Sequence, residues 1–273
     1  MKIPFTKMSG SGNDFVLIDH REPFLREDGL KDFVQKVCRR RVSVGADGFI
    51  LIERSEKADF KWRFYNADGS EPEMCGNGGR CAARFAHLKG IAGLSLKFET
   101  LAGILSAQVD GKRVKLEMTK PFGLKLDEGL RVDGKKEVFS FINTGVPHVV
   151  LFREELEKLD VVKIGRAIRR HSHFSPAGTN VDFVKVERGD QLSVRTYERG
   201  VEDETLACGT GVVASALIAG IKGLVKSPIS VKTRGGEVLT VHFEIEGEGV
   251  KRVFFEGEVH IIYEAEMWEE AYQ

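Results

Sequence analysis

The sequence has few cysteines and no net charge, and each of these two features argues against one class of protein. Only 4 of the 273 residues are cysteine. That is too few for a disulfide-stabilised scaffold of this length, and no two form the CxxC pair of a zinc ribbon. Lys+Arg and Asp+Glu each number 41, so the formal net charge is zero. A dedicated nucleic-acid-binding protein normally shows a cationic excess, so we expect no nucleic-acid partner.

The sequence also lacks a long apolar run. The longest run, 212–221, is interrupted by Ser215 and Gly220 and is about half the length of a bilayer span. Residues 1–15 contain no apolar h-region of the secretory kind. With 42% apolar and 30% charged residues the balance is that of an ordinary globular protein. We therefore expect a soluble, cytoplasmic protein without a membrane partner, and the length suggests roughly two domains.

The chain repeats itself at an offset of 133 residues. The CGxG sequence at 75–78 recurs at 208–211, and the Thr-x-x-Gly sequence at 100–103 recurs at 233–236. Upstream, 12–16 resembles 180–184 with one inserted residue. Matches that occur in the same order indicate a duplicated half of about 120–135 residues. The Pro/Gly/Lys-rich stretch 119–136 is the expected boundary, which predicts domains at 1–118 and 119–262.

Each half is strand-rich but contains one alanine-rich segment long enough for three helical turns, GGRCAARFAHL after Cys75 and GVVASALIAGI after Cys208. The second segment is apolar on every face, so a helix there must be covered all round, most simply by a curved sheet of its own half. We therefore predict an α/β (α+β) protein of two pseudo-symmetric domains with the active site in the interdomain cleft. Each domain is a barrel-like, mostly antiparallel sheet around a central helix. Apolar stripes predict two peripheral helices, one carrying Leu30, Phe33, Val34, Val37 and Cys38 and the other carrying Val161, Ile164 and Ile168.

Cys75 and Cys208 each precede a predicted helix, where the helix dipole and unpaired N–H groups favour a thiolate. About 2 kcal/mol from the dipole would lower a thiol pKa from about 8.5 to about 7. Two thiols facing each other could remove a proton from one face of a carbon and return one to the other face. The backbone N–H groups beside them would bind a carboxylate and stabilise the charge of an enediolate, at Gly76, Asn77, Gly209 and Thr210.

Other chemistry-bearing residues have simpler interpretations. A lone cysteine before a helix is more often a small buried hydrophobe, but the duplicated glycine context favours catalysis at 75 and 208. Cys38 and Cys81 lack that context and are predicted to be core thiols. The His171–His173 pair has no third ligand, so no metal is expected. We interpret Arg39–Arg41 as a solvated helix end. The glycines at 10–12 lack the third glycine of a dinucleotide site, and no pyridoxal lysine motif is visible, so no cofactor is expected.

Taken together, six segments resemble the diaminopimelate epimerase family: MCGNGGRC, YERGVEDETLACGTG, FYNADGSE, SGNDF, TGVPH and GTNVDFV. The resemblance covers nearly the whole chain in one collinear order. It implies a cofactor-independent enzyme that interconverts LL- and meso-2,6-diaminopimelate in lysine and peptidoglycan biosynthesis. It also implies two α/β halves, each with a helix inside a barrel-like sheet, and a tail at 263–273 that returns to the first domain. A homodimer is compatible with the resemblance.

The resemblance assigns roles residue by residue. Cys75 and Cys208 match the catalytic pair, and His148 and Glu198 match residues that tune the thiols. At Val146 and at Gly48 this sequence departs from members with Asn or Gln there, and either change would remove one polar substrate contact. By themselves, Asn13, Asn66 and Asn180 are equally consistent with turns. The implied substrate contacts are Asn13, Asn66, Gly76, Asn77, Asn180, Glu198, Arg199, Gly209 and Thr210.

Two alternatives remain at this level. A proline racemase-like member of the same fold also uses two cysteines, but its first motif resembles CGHG and its substrate has one carboxylate, which leaves Arg199 and the asparagines without a purpose. The isomerase relatives of phenazine biosynthesis lack the cysteine pair. A non-catalytic amino-acid-binding protein on the same scaffold has no need of two thiols.

Overall fold

The computed structural model describes residues 2–247 and 249–273, and the chain forms two compact units. The first comprises Met1–Glu117 and Gly257–Gln273, and the second comprises Met118–Glu256. Each unit is a mostly antiparallel sheet with one buried and one peripheral helix. The predicted α/β (α+β) class, with a barrel-like sheet around a central helix, is confirmed.

The sheet of the first unit is a closed barrel of eight strands. Neighbouring strands follow in the order β1 to β7 and then β16. Antiparallel pairing of β1 with β16, with Ile3 opposite Met267, closes the barrel. The strands are β1 (Ile3–Gly10), β2 (Asn13–Asp19), β3 (Gly48–Glu53), β4 (Phe60–Asn66), β5 (Ser95–Thr100), β6 (Gly103–Asp110), β7 (Arg113–Glu117) and the last part of β16 (Gly249–Met267).

Two helices of the first unit join parallel strands. Helix α1 (Leu30–Cys38) connects β2 to β3, and α2 (Gly76–Leu88) connects β4 to β5. As predicted, α1 buries one apolar stripe, which packs against the outer side of the barrel. Helix α2 packs against β1, β2, β3, β6 and β7. Since β3 lies between the two helices, its run FILI is buried on both faces, which explains an apolar run without alternation.

The second unit repeats this plan. Its strands are β8 (Phe122–Val132), β9 (Lys135–Asn143), β10 (Pro147–Phe152), β11 (Asn180–Val186), β12 (Gln191–Glu198), β13 (Asp203–Thr205), β14 (Ile229–Lys232), β15 (Val238–Glu246) and the first part of β16. The sheet order is β16-β15-β14-β12-β11-β10-β9-β8, with β13 beside β12. Helix α3 (Val161–Arg169) joins the parallel strands β10 and β11, and α4 (Gly209–Ile221) joins the parallel strands β12 and β14.

Helix α4 is the apolar helix whose covering the sequence predicts. All residues from Gly211 to Ala219 are buried, on every face of the helix. The cover comes from β9, β10, β11, β12, β14 and β15 of the same unit, as expected. Helices α2 and α4 each have 13 residues, and no helix in the described part of the chain is long and apolar enough to span a bilayer.

The strand register corrects one part of the predicted repeat. The elements β2-α1-β3 and β4-α2-β5 correspond to β10-α3-β11 and β12-α4-β14, and this supports the duplication. Phe15 lies opposite Gly48, and His148 lies opposite Asn180. Strand β2 therefore corresponds to β10, and the proposed match of 12–16 with 180–184, which lie in β2 and β11, is wrong. Short apolar strands that follow a polar turn have similar sequences. Sequence similarity therefore matched β2 with β11 instead of with β10.

Candidate active site

Cys75 caps the N-terminus of α2. Its backbone is extended, with φ of −143°, and its side chain is half-buried. The backbone N–H of Gly78 donates to Sγ at 3.4 Å. This contact satisfies one N–H group that the first turn of a helix leaves without an intrahelical partner, and it stabilises negative charge on the sulfur.

A chain of side-chain hydrogen bonds brings Asn13 to the start of α2. The Nδ2 group of Asn77 donates to Oδ1 of Asn13 at 2.8 Å, and Nδ2 of Asn13 donates to Oδ2 of Asp47 at 3.2 Å. On the other side, the fully buried Arg80 donates to Oδ1 of Asn77 at 3.1 Å and to the Ser11 hydroxyl at 2.5 Å. The side-chain amides of Asn13 and Asn77 are therefore held in fixed orientations.

The carboxylate that holds Asn13 belongs to a charged cluster. Arg40 donates to Asp14 at 2.6 Å and to Asp47 at 2.7 Å, and the Lys7 ammonium lies 3.0 Å from Asp14. Burial opposes ionisation of Asp14, but hydrogen bonds from Arg40 and Lys7 outweigh it and lower the pKa of Asp14 to about 2. Arg39–Arg41 is exposed, as predicted for a solvated helix end, but Arg40 also forms ion pairs with two carboxylates.

The Asp14 carboxylate should make stability depend on acid pH. Because the pKa in the folded protein lies below the ordinary value of 3.8, the ionised group stabilises the fold above about pH 4, and this contribution is lost toward pH 2. Asp14→Asn should lower the free energy of unfolding at pH 7 by about 2 kcal/mol, with the deficit shrinking from pH 4 to 2. Urea unfolding across this range measures the deficit, with Asp28→Asn in an exposed ion pair as control. An unchanged deficit at pH 2.5 would contradict the electrostatic explanation.

Asn66 is the last residue of β4, and Gly48 is the first residue of the neighbouring strand β3. Asn66 is exposed, and its amide donates to the Ser70 hydroxyl at 3.0 Å, so the turn interpretation describes its present contacts. Gly48 is buried opposite it, where a Cβ would lie 2.6 Å from the Phe64 ring. Packing therefore leaves no room at 48 for a larger side chain. Val146 lies in the turn before β10, and its carbonyl accepts from the Thr144 N–H at 3.2 Å.

In the second unit, Cys208 caps the N-terminus of α4 and is only 8% exposed. Its sulfur lies 3.5 Å from the Thr210 hydroxyl. Gly209 and Thr210 begin the helix and are both half-buried. The Thr144 hydroxyl donates to the Thr210 carbonyl at 3.0 Å. The two cysteines thus occupy equivalent helix starts but differ in exposure, and the Thr210 hydroxyl lies beside the Cys208 sulfur.

His148 lies beside Cys208 in a buried polar cluster. Its Nε2 is 2.9 Å from the Thr210 hydroxyl, and its Nδ1 is 2.7 Å from Oδ2 of Asp182. Both His148 and Asp182 are completely buried. Asn180, the first residue of β11, donates to the Pro147 carbonyl at 3.2 Å and accepts from the Arg199 N–H at 2.8 Å. Asn180 therefore links two segments and does not form a turn.

Glu198 and Arg199 diverge at the end of β12. The strand ends at Glu198 and Gly200 follows in a turn with φ of 96°. Burial raises the pKa of Glu198, and the nearby Asp182 carboxylate adds to the effect. The Arg199 guanidinium instead donates to the Ala177 carbonyl at 3.1 Å.

Arg199 lies on the wall of a cavity of about 390 Å³ in the second unit. The rings of Phe139, Phe141 and Phe174 form its apolar part, whereas Cys208 and His148 do not line it. Across residues 2–247 and 249–273, no carboxylate lies within ion-pair distance of the Arg199 guanidinium. This side chain therefore keeps donors for an external anion.

The predicted thiolate at Cys208 is corrected by its surroundings. Burial raises the pKa of Cys208 far above its ordinary value, and the carboxylates of Glu198 and Asp182 raise it further. The hydrogen bond from the Gly211 N–H opposes this rise but is the smaller effect. A helix start therefore does not by itself give a thiolate. Burial also raises the pKa values of Cys38 and Cys81 to about 12, and both are core thiols as predicted.

The rings of His171 and His173 contact different partners, although the His173 N–H donates to Nδ1 of His171 at 3.1 Å. Nε2 of His171 lies 3.1 Å from the Arg131 carbonyl, and Nε2 of His173 lies 3.7 Å from the Glu128 carboxylate. Among the residues that the structure describes, no three His, Cys, Asp or Glu side chains are arranged to hold a metal ion.

Comparison with known proteins decides the family. Residues 5–122 and 140–262 match the family described as diaminopimelate epimerase. The chain belongs to the diaminopimelate epimerase family. A diaminopimelate epimerase of Aquifex aeolicus is 52% identical over 97% of this chain and 98% of that protein. Another, from Archaeoglobus fulgidus, is 48% identical over 93% and 95%.

Solved structures share the fold of this family member at much lower identity. A hydroxyproline epimerase from Agrobacterium vitis with bound trans-4-hydroxy-L-proline has a TM-score of 0.72 at 14% identity, over 98% of this chain and 93% of that one. A phenazine biosynthesis protein of the PhzF family from Bacillus anthracis has a TM-score of 0.69 at 16% identity, over 98% and 99%. Such similarities establish the fold alone.

Sequence reasoning missed several residues that organise the site. Asp182 is one, although a signal was present: it stands two positions after Asn180 in a strand, so both face the same side of the sheet. The Thr210 hydroxyl is another, since only the Thr210 backbone had been assigned a role. The cluster of Asp14, Asp47 and Arg40 joins segments far apart in sequence, and no local pattern indicates it.

Proposed function

We propose that this chain is a cofactor-independent isomerase that interconverts LL- and meso-2,6-diaminopimelate, a step of lysine and peptidoglycan biosynthesis. Membership of the diaminopimelate epimerase family carries the proposal, because the matched ranges include both CGxG segments. The same segments place Cys75 and Cys208 at two equivalent helix starts. We assign these two thiols as the acid–base pair.

The different surroundings of the two sulfurs support different protonation states at the start of the reaction. Cys75 is half-buried and accepts the Gly78 N–H, which suits a thiolate, whereas burial and two nearby carboxylates raise the pKa of Cys208, which therefore starts as a thiol. In one direction the Cα–H bond breaks, its proton goes to Cys75, and the electron pair remains in an enediolate. Cys208 then delivers its S–H proton to the opposite face of Cα. The reverse reaction exchanges the two roles.

The helix starts supply the groups that stabilise the intermediate. We assign the reacting carboxylate to the backbone N–H groups at Gly76, Asn77, Gly209 and Thr210, which suit an anion. Negative charge grows on this carboxylate as the enediolate forms, so donors fixed in advance lower the barrier. We assign the distal amino-acid end to Arg199 and the amides of Asn13, Asn66 and Asn180. Of these four, Arg199 is the side chain suited to a second carboxylate.

His148 and Glu198 are assigned as the residues that tune the thiols. Both lie in the surroundings of Cys208: His148 through the Thr210 hydroxyl, and Glu198 through its charge. Free thiols with a catalytic role require a reducing compartment, which supports a cytoplasmic location. The homodimer suggested by the family resemblance stays a prediction.

Incubation in D₂O with meso-diaminopimelate, and separately with L-proline, tests the proposed substrate. We expect deuterium at Cα of diaminopimelate together with formation of the LL isomer, and none in proline. Deuterium in proline alone would favour the racemase-like alternative, and deuterium in neither compound would favour a non-catalytic amino-acid-binding protein.

A further inference from the structure

Asp182 is a completely buried carboxylate that the reaction described above does not use. Burying an ionised carboxylate is costly unless charged or hydrogen-bonding partners compensate. Asp182 has two such partners: Nδ1 of His148 at 2.7 Å and the Thr196 hydroxyl at 2.7 Å. Through these two contacts Asp182 links Thr196 on β12 to the imidazole ring of His148, which lies beside Cys208.

The contact with Asp182 determines which nitrogen of His148 carries the proton. An ionised carboxylate only accepts hydrogen bonds, so Nδ1 of His148 must donate to it. In the neutral ring Nε2 then has a free lone pair, which accepts from the Thr210 hydroxyl at 2.9 Å. The opposite tautomer would leave the lone pair of Nδ1 facing the carboxylate.

The direction of hydrogen-bond donation continues from His148 to the sulfur of Cys208. Once the Thr210 O–H donates to His148, the oxygen lone pairs of Thr210 are free to accept from the Cys208 S–H at 3.5 Å. All donors in this chain then point from Cys208 toward Asp182. The arrangement favours the protonated form of Cys208, which is required in the direction in which Cys208 is the acid.

The first unit shows that the fold does not require this polar pair. By strand register, Phe15 and Ile50 occupy the positions of His148 and Asp182. Gly78 and Gly211, each three residues after its cysteine, have neighbours that agree with this correspondence. A Cβ at Gly78 would meet Ile50 at 3.4 Å and Phe15 at 3.5 Å.

At Gly211 a Cβ would instead lie 2.3 Å from Oδ1 of Asp182 and 3.3 Å from Cε1 of His148. The start of α4 is therefore packed directly onto the pair. An apolar pair fills the equivalent place beside Cys75, so the buried charge is specific to Cys208.

We propose that Asp182 is a positioning residue that holds His148 in its Nδ1–H tautomer and so keeps the Thr210 hydroxyl as the acceptor for the Cys208 thiol. This inference rests on the proposed function and assigns a second-unit residue that acts through His148 and Thr210. The titratable groups facing His148 are Asp182 from β11, Glu198 from β12 and Cys208 at the start of α4.

The direct test is Asp182→Asn, which preserves shape and removes the charge. We expect kcat for diaminopimelate to fall on the order of 10²-fold, the scale of a general acid held in the wrong form. KM should stay within a few-fold, because no assigned substrate contact changes. The matched control is Thr196→Val, which removes the other partner of Asp182 but keeps the carboxylate, and it should keep kcat within a few-fold.

A spectroscopic measurement separates positioning from a loss of structure. In ¹⁵N-histidine NMR, with the His148 signals assigned by their absence in His148→Gln, wild-type protein should show protonated Nδ1 and unprotonated Nε2. Asp182→Asn should show the other tautomer or a mixture, whereas Thr196→Val should resemble wild type. Folded Asp182→Asn with either wild-type kcat or the wild-type tautomer would overturn the proposal.

A second variant keeps the proposal testable if Asp182→Asn does not fold. Thr210→Val removes the link between His148 and Cys208 while leaving the Asp182–His148 pair intact, and Thr210→Ser restores the hydroxyl. We expect kcat to fall with Val and to recover with Ser, and full activity in Thr210→Val would refute the chain. If wild-type protein does not exchange deuterium into diaminopimelate, the proposed function fails, whereas the tautomer measurement still decides the role of Asp182.

Discussion

Replacing either Cys75 or Cys208 with alanine should abolish epimerisation in both directions, by about 10⁴-fold or more. Inversion requires a base on one face of Cα and an acid on the other in the same active site, so neither thiol can serve alone. The measurement is the rate of isomer interconversion from the LL and from the meso compound, with α-deuterium incorporation in D₂O recorded in parallel.

Two other cysteines of the same chain serve as controls. Cys38 lies in the apolar stripe of α1 and Cys81 lies inside α2, and burial raises the pKa values of both thiols to about 12. Alanine at either position should cost packing energy but leave turnover near the wild-type value. Substantial epimerisation by the Cys75 or the Cys208 variant would refute the two-base mechanism.

The fold was predictable where a single segment carries its own constraint. Helix α4 is apolar on every face, and such a helix has no stable position except inside a sheet. The two CGxG segments predicted that the central helix occurs twice, each time after a cysteine. The closure of the first barrel by β1 and β16 could not be derived in this way, because its partners are separated by nearly the whole chain.

The candidate site was predictable in identity but not in electrostatics. Cys208 follows the rule for a helix start, yet its burial and two nearby carboxylates reverse the expected direction of its pKa shift. One of these, Asp182, comes from a different strand. Likewise Arg40 follows a helix and is exposed as predicted, but folding also places it against Asp14 and Asp47. Charge contacts between distant segments depend on the three-dimensional arrangement, which local patterns do not encode.

Arg199→Ala should weaken recognition of diaminopimelate far more than it affects the chemistry. We expect KM to rise about 10²-fold, because a guanidinium can bind a carboxylate through two charge-assisted hydrogen bonds that water does not replace equally well. The half-buried Arg199 side chain makes a hydrogen bond to the Ala177 carbonyl. The contact with Asn180 uses the Arg199 backbone N–H, so the Ala variant retains it and should keep the local turn.

Two comparisons separate recognition of the distal carboxylate from a structural role of Arg199. Arg199→Lys keeps the charge but loses the planar pair of donors, so it should recover only part of the affinity. Calorimetric binding to the Ala variant should be much weaker for diaminopimelate but almost unchanged for a monocarboxylic amino acid, which has nothing to place against the guanidinium. Equal losses for both ligands would mean that Arg199 supports the structure and does not contact the distal carboxylate.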